Sequence, residues 1–449
     1  MKGSIVTLVL ILITSLQADN LYVTPSGSGS RNGSDWANAY AGFGSVRWGS
    51  ATGQVGAGDV LYVAGGSYSN PCEPTVNGTS DNNRIIIRKA TDADHGTNTG
   101  WNSSYAAQAK VLISLVRRAY VTVDGAYEYG FYWEPASTCG YCSGMYLKEA
   151  NHITVQYVHV DGTKDRDAWR GLSAINALDV KLRHIKISNP ANDAFQISGR
   201  DFLIEHCKVG PRGYSTSGAH SDMVETFNTQ NVTFRYNVVD WNGIMYQFTD
   251  DINYQIYGNV FSGTRILHKN SKYNGANPCY FYNNVIYKIE SLGSNPADIK
   301  NNVFYQVDNA ATYLSLANNY VAPSNPFVDP AGGNFHLNSD SPVRDIGVDL
   351  GAPYNFDPDG NERGADGKWD MGAYEYSQTG MSLPSFGYAQ DDADLRFAID
   401  HTLPIQGGDA FNYYTISGQP VHRNNIQKTG IYLVRLNEYS SIKRVFITK

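Results

Sequence analysis

The chain has 449 residues, 42% of them hydrophobic and 17% charged, so it can bury a sizeable core and is not disordered by composition. Its 44 glycines and 32 tyrosines, with abundant Asn and Ser, exclude helical bundles and coiled coils and favour an all-β solenoid, sandwich or barrel. A net charge of −7 argues against nucleic acid or an anionic membrane as partner; the acid is concentrated at −9 within residues 340–400, which leaves the rest of the chain at +2, where a polyanion can still be met.

In chain order, Lys2, the apolar run Ile5 to Ile13 and the small or polar stretch up to Asp19 follow the order of a secretory signal peptide. The run is too short to span a bilayer, and no later segment approaches 18 apolar residues, so residues 1–19 are expected to be removed and the protein to be secreted or held at the cell surface. The five cysteines are too few for a disulfide scaffold; Cys139 and Cys142 have the spacing of a small disulfide loop, and Cys207 falls at an apolar strand position.

From residue 150 onward a short pattern returns: Ile153-Thr-Val-Gln-Tyr-Val158, Val180-Lys-Leu-Arg-His-Ile185, Phe202-Leu-Ile-Glu-His-Cys207 and Val232-Thr-Phe-Arg-Tyr-Asn237, then segments ending at Asn259, Asn284, Asn302 and Asn319. A period of roughly 17 to 30 residues with strands and no helical spacer predicts coils of a parallel β-helix stacked at about 4.8 Å. Asn237, Asn259, Asn284, Asn302 and Asn319 occupy one position of successive repeats, and inward amides so placed can bond along the stack as in cross-β ladders. A propeller requires a steadier period near 40.

These features resemble the secreted bacterial proteins of the pectate-lyase-like superfamily. The segments that carry the resemblance are Leu21 to Tyr40 with Gly58-Asp-Val-Leu-Tyr-Val-Ala-Gly-Gly-Ser-Tyr68, similar to an opening cap and first coil, and Asn334 to Gly347 with Asp370-Met-Gly-Ala-Tyr-Glu375, similar to a closing element. The resemblance implies an all-β fold, a right-handed parallel β-helix (solenoid) over residues 20–376 with a small C-terminal β-sandwich-like domain. Glycines 42, 44, 49, 53 and 56 interrupt the amphipathic cap helix expected near the N-terminus. Residues 377–410 read as a linker, and residues 411–449, with three strand-like segments, resemble the C-terminal sorting domain of type IX secretion without its usual Pro-Asn-Pro opening. That resemblance implies the type IX machinery as a partner.

An outward row of one side chain per coil suits a linear polymer. Phe195 and Val224 are expected to point inward, turning Gln196 and Glu225 outward, with the row continuing through Met245 or Tyr246 and then His268 or Lys269. Asp193, Asp222 and Glu225 form the acidic candidates for a Ca²⁺ ion, with His220 beside them, and Arg265, His268, Lys269 and Lys272 form a basic cluster. Together they suit β-elimination on a uronate-containing polysaccharide: a cation neutralises the sugar carboxylate while Lys269, or His268, removes the C5 proton, helped by Arg265 and His220. The segment Ile266-Leu-His-Lys269-Asn-Ser resembles the base-lysine segment of chondroitinase-B-like and alginate lyases. Gln196, Lys272, Trp241 and Tyr246 are candidates to hold the substrate, the two aromatics by stacking. The alternatives are a polygalacturonase-like glycoside hydrolase, whose aspartate and Gly-His-Gly series is not present in order, and a non-catalytic glycan-binding surface protein. Asp357-Pro-Asp-Gly-Asn361 lacks the Glu that would complete a calcium loop and reads as a turn.

Overall fold

The computed structural model describes residues 18–377, apart from 128, 135–142, 163–169, 214–221, 242–245, 250–251, 268–278, 292–296, 306–317 and 323–324, together with four strands between residues 412 and 447. Cys139 and Cys142 lie outside the described residues, as do residues 1–17. The chain divides into two compact units, Met1–Ser385 and Phe386–Lys449. No helix among the described residues is long and apolar enough to cross a membrane.

The first unit is a parallel β-helix. One sheet stacks the strands Asn20–Thr24, Val60–Val63, Ile85–Lys89, Ala119–Asp124, Asn151–Gln156, Leu172–Arg183, Phe195–Glu205, Val224–Arg235, Ile252–Tyr257, Cys279–Tyr282 and Ala297–Lys300. A second sheet stacks shorter strands, from Gly66–Ser67 through Lys186–Ser188 to Tyr320–Ala322, again all parallel. Alternation fixes the register: Ile153 pairs with Val180, Val180 with Phe202, Phe202 with Val232 and Val232 with Tyr254, and all five side chains are buried. A one-residue slip would turn this whole set to solvent. The poor cap helix predicted from the glycines is realised as two 3₁₀ turns, Trp36–Asn38 and Phe43–Ser45.

From the coil of Asn151–Gln156 onward, the chain passes from the first sheet to the second through one residue in the left-handed region: Tyr157, His184, His206, Tyr236, Gly258, Asn283, Asn301 and Asn318. This conformation costs a side-chain-bearing residue about 1–2 kcal/mol. Ring stacking offsets it in the early coils, where Tyr157, His184 and His206 have centroids 4.6 and 5.2 Å apart. At Gly258 a Cβ would sit 2.7 Å from the Tyr236 ring, so that position takes glycine.

The next residue of each coil builds the ladder. The Asn259 Oδ1 accepts from the Asn237 backbone N–H at 2.9 Å and from its Nδ2 at 3.0 Å, and Asn284, Asn302 and Asn319 repeat both bonds on the coil before them. Each Nδ2 also donates to a strand carbonyl of the coil before, as Asn284 does to Ile256 at 2.9 Å. Cys207 heads the column: its N–H donates to the Asn237 Oδ1, and its buried thiol points at the Leu182 and Glu205 carbonyls, the acceptors an amide would use. The expected core placement of Cys207 holds.

The closing segment does not simply add a coil. On the second sheet Val260, Val285 and Val303 alternate with the inward Phe261, Ile286 and Phe304, yet they too are buried. Phe327, Phe335, Leu337, Val343, Met371 and Ala373 of the segment pack onto them. Gly372 donates to the Asn301 carbonyl, the Asn301 amide pairs with both backbone groups of Val348, and the Tyr236 hydroxyl reaches the Phe356 carbonyl. Within the segment, the wholly buried Arg363 meets Glu375 at 3.2 Å, and the Asp357 carboxylate accepts from the N–H groups of Asp359, Asn361 and Glu375. Asp357 is thus spent on backbone donors, as the turn reading requires.

The second unit forms a four-stranded antiparallel sheet in the order Pro420–Val421, Asn412–Thr415, Gly430–Arg435, Lys443–Ile447.

Candidate functional site

Three strands of the first sheet begin in register, Leu172 beside Phe195 beside Val224, and all three side chains are buried. Alternation therefore turns Ser173, Gln196 and Glu225 to the outer face, one per coil. Two residues before each strand start stand Arg170, Asp193 and Asp222; the Gly171 N–H donates to the Asp193 carbonyl and the Ala194 N–H to the Asp222 carbonyl, which continues the parallel register outward.

This places four groups together. The Arg170 Nε lies 3.1 Å from the Asp193 Oδ2, its Nη2 lies 4.0 Å from the Glu225 Oε2, and the Gln196 Nε2 donates to the same Glu225 oxygen at 2.8 Å. Arg170 thus stands between the Asp193 and Glu225 carboxylates. The Asp193 side chain has no exposure, Glu225 has 9% and Arg170 19%, so the cluster is recessed with the arginine outermost. Burial raises the Asp193 carboxyl far above the ordinary range, and the neighbouring Glu225 adds to this. The Asp222 N–H and the Arg170 charge pull the other way.

Sequence reasoning missed Arg170. Aligning the strand starts would have found it, since it occupies the offset that Asp193 and Asp222 occupy in the next two coils.

The Ca²⁺ expectation for Asp193, Asp222 and Glu225 does not fit this arrangement. The Asp193 Oδ1 already accepts the Asp222 N–H at 3.1 Å and its Oδ2 faces a guanidinium, so a fixed positive charge stands where the ion's would be needed. Among the described residues, no three His, Cys, Asp or Glu gather with metal-binding geometry. Asp222 itself is 1% exposed.

Three further expectations need correction. Trp241 is 0% exposed in the core, so its ring offers no face to a sugar. By backbone register Tyr246 pairs with Val224 and Gln247 with Glu225, so Gln247 and not Tyr246 takes the position expected for the row, while Met245 lies outside the described residues. Arg265 lies on the second-sheet strand Val260–Leu267, opposite Lys288, not on the face that bears Glu225. Gln196 stands where it was expected. His220, His268, Lys269 and Lys272 lie outside the described residues.

No protein-family model matches the sequence, and no curated protein matches it. Among solved structures the chain is similar to a pectate lyase at 16% identity, with 81% of this chain and 98% of that one covered and a TM-score of 0.44. It is also similar to a rhamnogalacturonan lyase (13% identity, 68% and 87% covered, TM-score 0.38) and to an alginate lyase from Paenibacillus (14%, 59% and 90%, 0.34).

Proposed function

We propose that this is a secreted polysaccharide-active β-helix that cleaves a uronate-containing glycan by β-elimination on the outer face of the first sheet. The observation that carries the reading is the recessed cluster of Arg170, Asp193, Gln196 and Glu225, the one place among the described residues where the outward row of the first sheet meets a buried carboxyl pair and a guanidinium. One coil rises about 4.8 Å, close to the length of a sugar, so a chain laid along the stack meets one outward side chain per residue.

In this reading Arg170 neutralises the substrate carboxylate, which lowers the cost of the carbanion that forms when C5 is deprotonated. Gln196 fixes the Glu225 carboxyl beside that guanidinium. The proton acceptor is Lys269, with His268 as second choice, a short way past the strand Val260–Leu267. Elimination then expels the 4-linked sugar and leaves a 4,5-double bond.

Hydrolysis is the poorer reading. Acid and base of a glycosidase stand about 5 Å apart in retaining enzymes and about 6.5–9.5 Å apart in inverting ones with room for water between them, whereas Asp193 and Glu225 face one guanidinium and Glu225 is also held by Gln196. Incubation of the secreted protein with a panel of uronate polymers tests the proposal. Ultraviolet absorbance of an unsaturated product supports it, and reducing ends without that absorbance would replace it with the hydrolase.

A further inference from the structure

The closing segment holds a cavity of its own, and none of its lining residues belongs to the cluster around Arg170. Its walls are two stretches, 347–355 and 362–369, fastened to each other by backbone. The Gly347 N–H donates to the Trp369 carbonyl at 2.7 Å, the Arg363 N–H donates to the Asn355 carbonyl at 2.9 Å, and Phe356 bridges to Glu362. The space between them is about 460 Å³, within the range of small-molecule sites. Because both walls are tied, the space is formed before any ligand arrives. Gly364 lies against the Trp369 ring with φ at +72°, where a Cβ would stand 2.7 Å from the indole, so a side chain here would displace the cavity's apolar wall.

The lining carries hydrogen-bonding capacity that the chain leaves unspent. Among the described residues the Glu362 carboxylate, the Lys368 ammonium, the Asn355 amide and the Trp369 indole N–H have no partner, and Asp349 spends one oxygen on the Gly351 N–H at 2.8 Å. Arg363 is 3% exposed; its terminal nitrogens bond Glu375 and the carbonyls of Asp370, Gly372 and Ala373, yet its Nε N–H is buried without an acceptor. An orphaned buried donor is costly until an acceptor meets it. Two acids, Asp349 and Glu362, and two bases, Arg363 and Lys368, share this one lining. An anion would be opposed by the carboxylates and a cation by the other pair, whereas a hydroxyl both donates and accepts and can use them all. A ring of hydroxyls with an apolar side against Trp369 is the chemistry of a neutral pyranose or furanose. We infer that the closing segment is a second glycan site, which holds a neutral sugar residue and tethers the protein to a neutral polysaccharide. This goes beyond the proposed function and stands whether or not the first sheet cleaves a uronate polymer.

The full secreted protein is run in gels containing neutral polysaccharides, namely xylan, galactan, arabinan and galactomannan, and its binding is read as retardation. Saturation transfer from the protein to free xylose, galactose, arabinose, mannose and galacturonate is followed by nuclear magnetic resonance. The expected result is retardation by at least one neutral polymer, with transfer to its sugar. Glu362→Ala combined with Lys368→Ala removes two exposed side chains that hold nothing else in place. This double variant should lose at least fivefold in affinity for that sugar, while its rate on any uronate polymer stays at the wild-type value. Asn355→Ala, whose amide is equally unspent, gives an independent second reading of the same loss. Absence of both retardation and transfer with every neutral probe overturns the inference. Neutral-sugar binding that both variants leave intact also overturns it, because the sugar is then held elsewhere. Stronger transfer to galacturonate than to every neutral sugar, abolished by the same variants, overturns it in favour of an acidic-sugar site.

Discussion

Replacing Asn284 by leucine isolates what the amide ladder contributes, because the two side chains are close in volume and the backbone of the coil is unchanged. The wild-type amide makes four hydrogen bonds: its Oδ1 accepts from the Asn259 N–H and Nδ2, and its Nδ2 donates to the Ile256 carbonyl and the Asn302 Oδ1. Not all of these losses cost equally. The Asn302 Oδ1 keeps the Asn284 N–H, and the Asn259 Nδ2 keeps the Phe234 and Tyr257 carbonyls. The Asn259 N–H is left without a partner in a fully buried site, at about 2 kcal/mol, and the remaining losses add about 1 kcal/mol. Asn284→Leu should therefore destabilise by about 3 kcal/mol. Asn319, at the end of the ladder, is half-buried, so water can replace its amide and Asn319→Leu should cost about 1 kcal/mol. Urea unfolding followed by circular dichroism reads both; at a slope of about 3 kcal/mol per M the Asn284→Leu midpoint falls by about 1 M. A midpoint equal to wild type, or equal to that of Asn319→Leu, would refute the assignment of the ladder as a stabilising chain.

Arg170→Gln removes the counter-charge of a buried carboxyl pair. It should lower turnover at least tenfold and cost roughly 2–3 kcal/mol of stability, read by initial rates and by the same unfolding assay. Lys269→Ala and His268→Ala should lower turnover at least tenfold with the unfolding midpoint unchanged, and wild-type rates in both would put the proton acceptor elsewhere. Trp241→Phe should cost about 1–2 kcal/mol yet leave retardation by any bound glycan unchanged, since the ring is in the core. Burial raises the Glu375 carboxyl to about 7 against the pull of Arg363, and Asp193, Asp357 and Asp370 are raised as well. A raised folded-state pKa gives stability that is present below the unfolded value and lost as pH rises, while His159 and His206, lowered by burial to about 4, add stability from about pH 4 to pH 6.5; the fall these carboxyls cause in melting temperature from pH 5 to pH 7 should therefore be read as a difference, smaller in Glu375→Gln than in wild type. Lys89, which burial lowers to about 7, adds stability only as pH rises above that value and does not offset the fall.

The register of the coils was legible because Ile153, Val180, Phe202, Val232 and Tyr254 head the same alternating pattern, and the ladder because asparagine recurs at one offset from it. The site was legible only in part. Gly243-Ile-Met-Tyr-Gln247 alternates acceptably in either register, so nothing local distinguishes Tyr246 from Gln247 as the residue in register with Glu225. Trp241, between Asp240 and Asn242, has the polar neighbours of an exposed turn, and only the depth of the coil buries it. The folding of the closing segment onto the second sheet did leave a signal. Val238-Val239, Val260-Phe261, Val285-Ile286 and Val303-Phe304 are doubly apolar pairs, the mark of a strand covered on both faces, whereas the earlier Lys186-Ile187 and Lys208-Val209 are covered on one.

That closing segment also acts as a ruler. It is fastened to the coils of Tyr236 and Asn301, three coil spacings or about 14 Å apart, by bonds to specific backbone atoms. An inserted or deleted coil between those anchors would move one of them by about 4.8 Å and break the fastening. Upstream of Tyr236 the segment has no such grip among the described residues. Whole coils can be added or lost there, and with them rows on the outer face of the first sheet, without disturbing the end of the stack. The length of that face is thus free to change at one end and fixed at the other.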